Sequence, residues 1–234
     1  MDTPRFYFTD TFREFRPLLE KYSTKKKCFE KGSMIFSSAK PLDFCLYIDS
    51  GLISYSVLHE SGAEKTLFYH GVGNLFPTYQ SPRQYKICEL GRCLTRVEAM
   101  VIPQTNLKRL MQTNLDFDRN VLDHYVEMFN FMIYDSIHQC YSSAYVRLCN
   151  FFSIYLENRS QEKVKGNEIL LTQEELARII GVSRVQIGTI LNRLRNQKII
   201  ETDRRKVIVK DTALLIEQCT EEAYTDCSIG KHEE

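Results

Sequence analysis

The stretch Thr172-Gln173-Glu174-Glu175-Leu176-Ala177-Arg178-Ile179-Ile180-Gly181-Val182-Ser183-Arg184-Val185-Gln186-Ile187-Gly188-Thr189-Ile190-Leu191-Asn192-Arg193-Leu194-Arg195 decides how the chain is read. Thr172-x-x-Glu175 is a capping box: the Thr hydroxyl can accept from the Glu175 N–H while the carboxylate reaches back to the cap. Leu176, Ala177 and Ile180 give the following helix one apolar face, and Ala177 is small where a second helix must come close. Gly181 stops the helix, because glycine takes positive φ without a Cβ clash. Val182 is expected to pack beneath the turn. Ser183-x-x-Gln186 repeats the box and opens a second helix with Ile187, Ile190, Leu191 and Leu194 on its inner face. In a twenty-residue window from Gln173, Ala stands fifth and Gly ninth, followed by Ile187 and Ile190. That is the helix-turn-helix pattern.

The outward face of the second helix then follows. Ser183, Arg184, Val185, Gln186 and Thr189 lie at or near its N-terminal side, the side that faces a DNA groove. Arg can donate twice to guanine, Gln can bond adenine in the same way, and Val185 can pack on a thymine methyl. Thr172 and Gln173 begin the first helix, where backbone N–H groups and the helix dipole favour a phosphate. Ile199 to Val209 reads as two strands joined by a basic turn, a wing whose Arg204, Arg205 and Lys206 are placed for phosphates. The competing readings are solvated surface charges and a helix pair that binds something other than DNA.

Charge supports the first reading. The 234 residues carry a net charge of only +1. Residues 141–216 hold 13 basic and 8 acidic side chains, net +5, and residues 217–234 hold 1 and 6, net −5. A basic segment thus coincides with the motif and an acidic tail follows it. Length favours two domains, and 14 Phe with 13 Tyr supply bulk for a core although Trp is absent. No apolar run is long enough to span a membrane, the N-terminus has no secretory leader, and eight unpatterned Cys read as reduced thiols, so a cytoplasmic location is expected.

Ahead of the motif, residues 28–103 read as β. The candidate strands are Met34 to Phe36, Cys45 to Ile48, Leu52 to Leu58, Lys65 to Tyr69 and Glu98 to Ile102, parted by glycines. Ile53, Tyr55 and Val57 alternate with Ser54 and Ser56, placing the large side chains on one face, and Glu60-Ser61-Gly62-Ala63 makes a hairpin turn. A helix without Gly or Pro follows, about Asp116 to Tyr141. Leu122, Tyr125, Phe129 and Met132 form one row on it, and Val126, Phe129, Ile133, Ile137 and Cys140 form another. Two adjoining stripes call for two burial partners, such as its own domain and a second copy of the chain. The alternative is a helix buried within a monomer. A further amphipathic helix, Tyr145 to Asn158, and a polar loop, 159–167, lead into the motif.

An antiparallel β-roll, a long helix and a winged helix-turn-helix, in that order, make an α+β chain. It resembles the superfamily of the cyclic-AMP receptor protein and the fumarate-nitrate reductase regulator (CRP/FNR). The resemblance covers about residues 20–212 and is carried by Lys31 to Phe36, Tyr47 to Gly51, Gly71 to Phe76, Leu171 to Ala177 and Gly181 to Arg184. It implies an effector-sensing roll at 1–112, a dimerisation helix at 113–141 through Leu122, Tyr125, Phe129 and Met132, a DNA-binding domain at 142–216, and the tail at 217–234. It implies a homodimeric transcription regulator that binds an inverted repeat in double-stranded DNA, with a small-molecule effector and RNA polymerase as candidate further partners.

The effector is narrowed by what the sequence lacks relative to the family. Cyclic-nucleotide sensors carry Gly-Glu and then Arg-Ser or Arg-Thr; the corresponding stretch, Leu75 to Tyr85, has no Gly-Glu and has Gln84 after Arg83, so cyclic AMP is not expected. Only Cys28 lies in the first 40 residues, which argues against an iron–sulfur cluster, and His70 alone is a weak case for haem. Gly62 to Leu75 looks most like the halophenol-sensing regulators, in which a Tyr and a Lys three residues on hold a phenolate; Tyr125 matches the Tyr, and Met128 replaces the Lys. An aromatic or mostly apolar ligand is therefore expected, with Phe68, Tyr69, Leu75, Phe76 and Tyr79 on the roll side and Tyr125, Met128 and Phe129 on the helix side, unless these side chains only fill a core. Cys88 with Cys93, Cys140 with Cys149, and Cys219 with Cys227 are pairs by proximity, leaving open a thiol-responsive regulator without a ligand. No metal-ligand spacing, phosphate-cradling loop or nucleophile–base–acid set is visible, so neither a cofactor nor an enzyme is expected.

Overall fold

The computed structural model describes residues 6–37, 42–78, 87–161, 166–203 and 206–220. It divides into two units: Tyr7–Phe129, and Phe6 together with the described residues from Asn130 onward. The first unit contains β1 (Tyr7–Phe8), α1 (Arg16–Tyr22), β2 (Lys25–Phe29), β3 (Met34–Ser37), β4 (Phe44–Ser50), β5 (Ile53–Leu58), β6 (Glu64–His70), β7 (Leu75–Phe76), β8 (Cys88–Cys93), β9 (Val97–Pro103), α2 (Gln104–Thr113) and the first part of α3 (Leu115–Tyr141). One sheet has the order β1-β6-β5-β8-β3 and the other β2-β9-β4-β7. Every pairing is antiparallel except β1 with β6, which is parallel and departs from the all-antiparallel roll that the sequence suggests.

The period-2 alternation of strands builds two cores from one set of strands. Leu46 and Ile48 of β4, Val97, Ala99 and Val101 of β9, and Phe76 of β7 point into the roll with Phe29, Ile35, Phe36 and Ile53. Their neighbours Cys45, Tyr47, Met100, Ile102 and Leu75 point the other way, onto Leu19 of α1, Leu107 and Leu110 of α2, and Phe117 and Val121 of α3. Strands covered on both faces become near-continuous apolar runs, as Phe44 to Ile48 is. β5 is likewise covered on both faces. Its Ser54 and Ser56 are buried on one side, and on the other Ile53 is buried while Tyr55 and Val57 are half-buried. The hydroxyls are satisfied inside the sheet: Ser54 donates to the Arg92 carbonyl at 3.4 Å, and Ser56 meets Thr66 Oγ1 at 3.2 Å. The Glu60–Ala63 turn forms as expected, with the His59 N–H on the Ala63 carbonyl at 2.8 Å.

α3 runs from one unit into the other. Phe117, Val121, His124, Phe131 and His138 are buried, while Leu122, Val126, Phe129, Met132, Ile133 and Ile137 are exposed in the single chain. The two apolar stripes thus separate into a packed face and an uncovered one, with Tyr125 half-buried between them. The second unit continues through α4 (Ala144–Gln161), β10 (Glu168–Ile169), α5 (Gln173–Ile180), α6 (Arg184–Asn196), β11 (Ile200–Asp203), β12 (Lys206–Val209) and α7 (Thr212–Ile216). The wing hairpin β11–β12 gains an edge strand, β10, that the sequence reading passed over, in the order β10-β12-β11. A strand of two residues is too short to carry a periodic signal. Among the described residues, no helix is long and apolar enough to cross a membrane.

Candidate nucleic-acid interface and effector site

The helix-turn-helix forms as its caps dictate. Glu175 N–H donates to Thr172 Oγ1 at 3.2 Å, and the Glu175 carboxylate accepts the Thr172 N–H at 2.7 Å. Gly181 ends α5 at φ 73°, the left-handed conformation that its place in the turn requires, with Gly181 and Val182 N–H groups on the Ala177 carbonyl. Ser183 caps α6 by accepting the Gln186 N–H at 3.2 Å, the forward half of the second box. Leu176, Ala177 and Ile180 are buried against α6, whose Ile187, Ile190, Leu191 and Leu194 are buried in turn; Ile179 joins them. Val182 is half-buried beneath the turn.

With the inner face committed to packing, the outer face is what the sequence names. Ser183, Arg184, Val185, Gln186 and Thr189 are exposed, Val185 at 81%. A bare Val at the start of a helix is unfavourable in water unless something covers it. Arg184 makes no hydrogen bond or ion pair among the described residues, so its guanidinium is available. The Thr189 hydroxyl donates back to the Val185 carbonyl at 3.2 Å. An open groove of about 360 Å³ lies beside Arg184, lined also by Thr172, Gln173, Thr202, Asp203 and Lys206. The N-terminal ends of both helices and the turn end of the wing hairpin therefore meet at one concavity.

Its charge is mixed. Lys206 is held by Glu168 at 2.7 Å, and this bond raises its pKa. Lys206 is thus paired, in the free chain, with a carboxylate that β10 brings in. Glu174 and Glu175 sit on the first turn of α5, and Glu175 occupies the Thr172 N–H. Helix geometry leaves the Gln173 and Glu174 N–H groups for a phosphate. Arg204 and Arg205 lie outside the described residues.

In the first unit, the residues expected to line an effector site are brought together only in part. Phe68 and Phe76 share a ring cluster with Tyr55, at 6.3 Å and 6.1 Å between centroids. Tyr69 and Leu75 are equally buried but alternate to the other faces of their strands; Leu75 belongs to the helix-side core. Tyr125 packs against that core, Met128 is half-buried, and Phe129 is 62% exposed in the single chain, on the uncovered stripe. Tyr79 and the stretch 79–86, where a cyclic nucleotide would be contacted, lie outside the described residues.

Sequence reasoning missed the centre of the cluster. His70, at the end of β6, and His124, on α3, are both buried, with ring centroids 6.0 Å apart. Phe8 stacks on His70 at 5.9 Å and meets His124 edge-on at 4.9 Å; Phe12 lies 5.4 Å from His124 and Phe76 lies 5.1 Å from His70. Burial, and then His124, hold His70 well below the ordinary histidine range, so it is neutral at pH 7. Gly91 makes room for this arrangement: a Cβ there would come within 2.6 Å of the Phe76 ring. Tyr55 donates to Glu89, and burial, with that bond, raises its pKa. The one signal available in the sequence was that a three-residue spacing puts Val121 and His124 on the same face of α3.

The described cysteines are free thiols. Cys88 and Cys93 stand at opposite ends of β8, about 16 Å apart at the usual strand rise, beyond disulfide reach. Cys140 is exposed and Cys149 buried. Burial, and then nearby Cys219, push the Cys149 thiol up to about 12. Cys227 lies outside the described residues. No group of three or more His, Cys, Asp or Glu among the described residues could hold a metal ion.

Residues 146–218 match the family model of the Crp-like helix-turn-helix domain. A comparison with curated protein sequences finds no match. Among solved structures, the regulator CprK complexed with OCPA is similar over 90% of this chain and 97% of its own, at 16% identity and a TM-score of 0.68. A CooA variant from Carboxydothermus hydrogenoformans is similar over 90% and 99%, at 15% identity and a TM-score of 0.70. The c-di-GMP responsive global regulator CLP of Xanthomonas campestris is similar over 86% and 99%, at 18% identity and a TM-score of 0.65.

Proposed function

From a chain that has the fold of the CRP/FNR-type transcription regulators and a Crp-like helix-turn-helix domain at residues 146–218, we propose a homodimeric regulator that reads an inverted repeat in double-stranded DNA and responds to a small-molecule effector. The observation that carries the DNA reading is the division of α6 into a fully packed inner face and an outer face where Arg184, Gln186 and the bare Val185 stand beside a groove. Arg184 is the guanine reader, Gln186 hydrogen-bonds a base edge, Val185 packs on a thymine methyl, and Ser183 and the α5 N-terminus hold phosphates. Lys206, with Arg204 on the wing, contacts the backbone; Lys206 must exchange Glu168 for phosphate to do so.

The dimer reading rests on the uncovered stripe Leu122, Val126, Phe129, Ile133 and Ile137, whose steps of three and four residues keep them on one face of α3. A second copy related by a two-fold axis covers it and sets two α6 helices about 34 Å apart, in successive major grooves. The effector reading rests on the buried ring cluster between β6, β7 and α3, with RNA polymerase as the further partner of a transcription regulator. Selection from random double-stranded DNA, with light scattering on the free protein, tests the core of this. The expected result is a dimer and a two-fold symmetric site with half-sites one helical turn apart. A monomer that selects an asymmetric site, or no selection at all, overturns it.

A further inference from the structure

We propose that the effector is an uncharged aromatic molecule whose polar substituent hydrogen-bonds Nδ1 of His70 within the ring cluster of Phe8, Tyr55, Phe68, Phe76 and His124. This rests on the effector reading above and names the ligand's chemistry.

His70 is 2% exposed, and its Nδ1 is fully buried without a hydrogen-bond partner among the described residues. A buried polar atom left unsatisfied is uncommon in a folded protein, and a ligand group is one explanation for it. The surroundings of His70 are aromatic on several sides: Phe8 stacks on its ring, Phe76 and Phe68 lie at 5.1 Å and 6.4 Å, and the His124 ring is at 6.0 Å. A planar ring seated here makes ring–ring contacts of the kind the cluster already uses, and the rings of the cluster must move apart to admit it. Its substituent supplies a hydrogen bond to His70 Nδ1, which has none among the described residues. A neutral imidazole nitrogen accepts from a hydroxyl or, in the other tautomer, donates to a carbonyl. An anion is the wrong match, because these rings carry no compensating positive charge and a buried ion would stand unpaired. A second imidazole 6.0 Å away also opposes protonation of the first, so the cluster does not become a cation to meet an anion.

The strands explain why His70 is the group so placed. His70 ends β6, pairing with Ile53 of β5 on one side and Phe8 of β1 on the other, so its backbone is fixed on both edges. Phe68 and His70 share a face of β6, and the His70 ring faces His124 of α3.

Phenol, anisole and benzoate serve as probes with one ring and three substituents: a neutral donor, a neutral group without a donor, and an anion. Histidine-ring proton–carbon spectra of the full-length protein report binding at His70 and His124 directly. Phenol is expected to move both ring signals and to bind about tenfold more tightly than anisole or benzoate, the discrimination of one buried hydrogen bond. His70→Phe is expected to bind phenol and anisole alike, and His70→Gln, which keeps a donor and an acceptor, to retain the preference. Equal binding of phenol and anisole by the parent chain would overturn the assignment to His70 and leave the aromatic-effector reading standing. Tighter binding of benzoate would overturn the uncharged class. Equal loss in both His70 variants would assign the effect to packing and overturn the hydrogen bond. Failure of all three probes to move either ring signal would overturn the proposal and the effector reading together.

Discussion

The helix-turn-helix and the roll carry their candidate sites in opposite ways. In the first, the side chains that hold the fold and those that face the partner alternate along one short helix: Ile187 and Ile190 are buried, while Arg184, Val185 and Gln186 are bare. In the second, the candidate site is core, and Phe68, His70, Phe76 and His124 are all nearly inaccessible. A surface site can be changed without touching stability. A buried one cannot, because each ring there also stabilises the roll. Substitutions therefore separate the two regions, and the expected effects can be ranked.

The largest effect belongs to the stripe that neither site uses. Phe129→Glu would place a carboxylate in the proposed seam, where an uncompensated buried charge costs about 3–5 kcal/mol. Light scattering should report a monomer or an aggregate; a well-formed dimer would remove the helix seam from the account. Next is Gly91→Ala. The added Cβ would meet the Phe76 ring at 2.6 Å and Phe36 at 3.2 Å, and overpacking of this kind costs about 1–3 kcal/mol. Thermal melting should show the loss, and an unchanged melting temperature would mean that the cluster is looser than described.

A smaller effect separates the regions by pH. His70 is held neutral by burial, with its folded pKa well below the unfolded value of 6.5. Above about pH 6.5 both states are neutral and the group contributes no slope. As pH falls below that value, the unfolded chain takes up a proton that folded His70 refuses, so stability declines. The slope approaches about 1.4 kcal/mol per pH unit and ends once the folded pKa is passed. Denaturant unfolding of the parent and of His70→Phe between pH 7.5 and about 5 should differ by this slope. Parallel curves would mean that His70 titrates normally and is not sealed in the core.

The same comparison explains what was legible in the sequence. Around Thr172 to Leu194 every determinant is local: caps, a glycine turn and apolar spacing lie within two dozen residues, and each takes its expected place. Lys206 escaped that reading because its partner Glu168 lies 38 positions earlier, on a two-residue strand. In the roll, five strands could be seen from their composition, but β8 could not: Cys-Glu-Leu-Gly-Arg-Cys has no alternation, although it pairs with both β3 and β5. The ring cluster was harder still, since Phe8, Tyr55, His70, Phe76 and His124 come from five separate segments. Strand alternation also divides neighbours such as Leu75 and Phe76 between two cores, which a list of adjacent aromatic residues does not reveal.

The central claim is that the outer face of α6 reads bases while the wing holds the backbone, and Arg184→Ala beside Lys206→Ala in random-sequence DNA selection tests it most directly. A bidentate Arg–guanine contact is worth about 1–3 kcal/mol of discrimination. Arg184→Ala should therefore relax the preference at one base pair in each half-site and leave the others intact. Lys206→Ala should weaken binding to all sequences alike and flatten the dependence on salt. If Arg184→Ala kept the parental preference at every position, α6 would not be docked by this face, and the assignment of the site would be wrong.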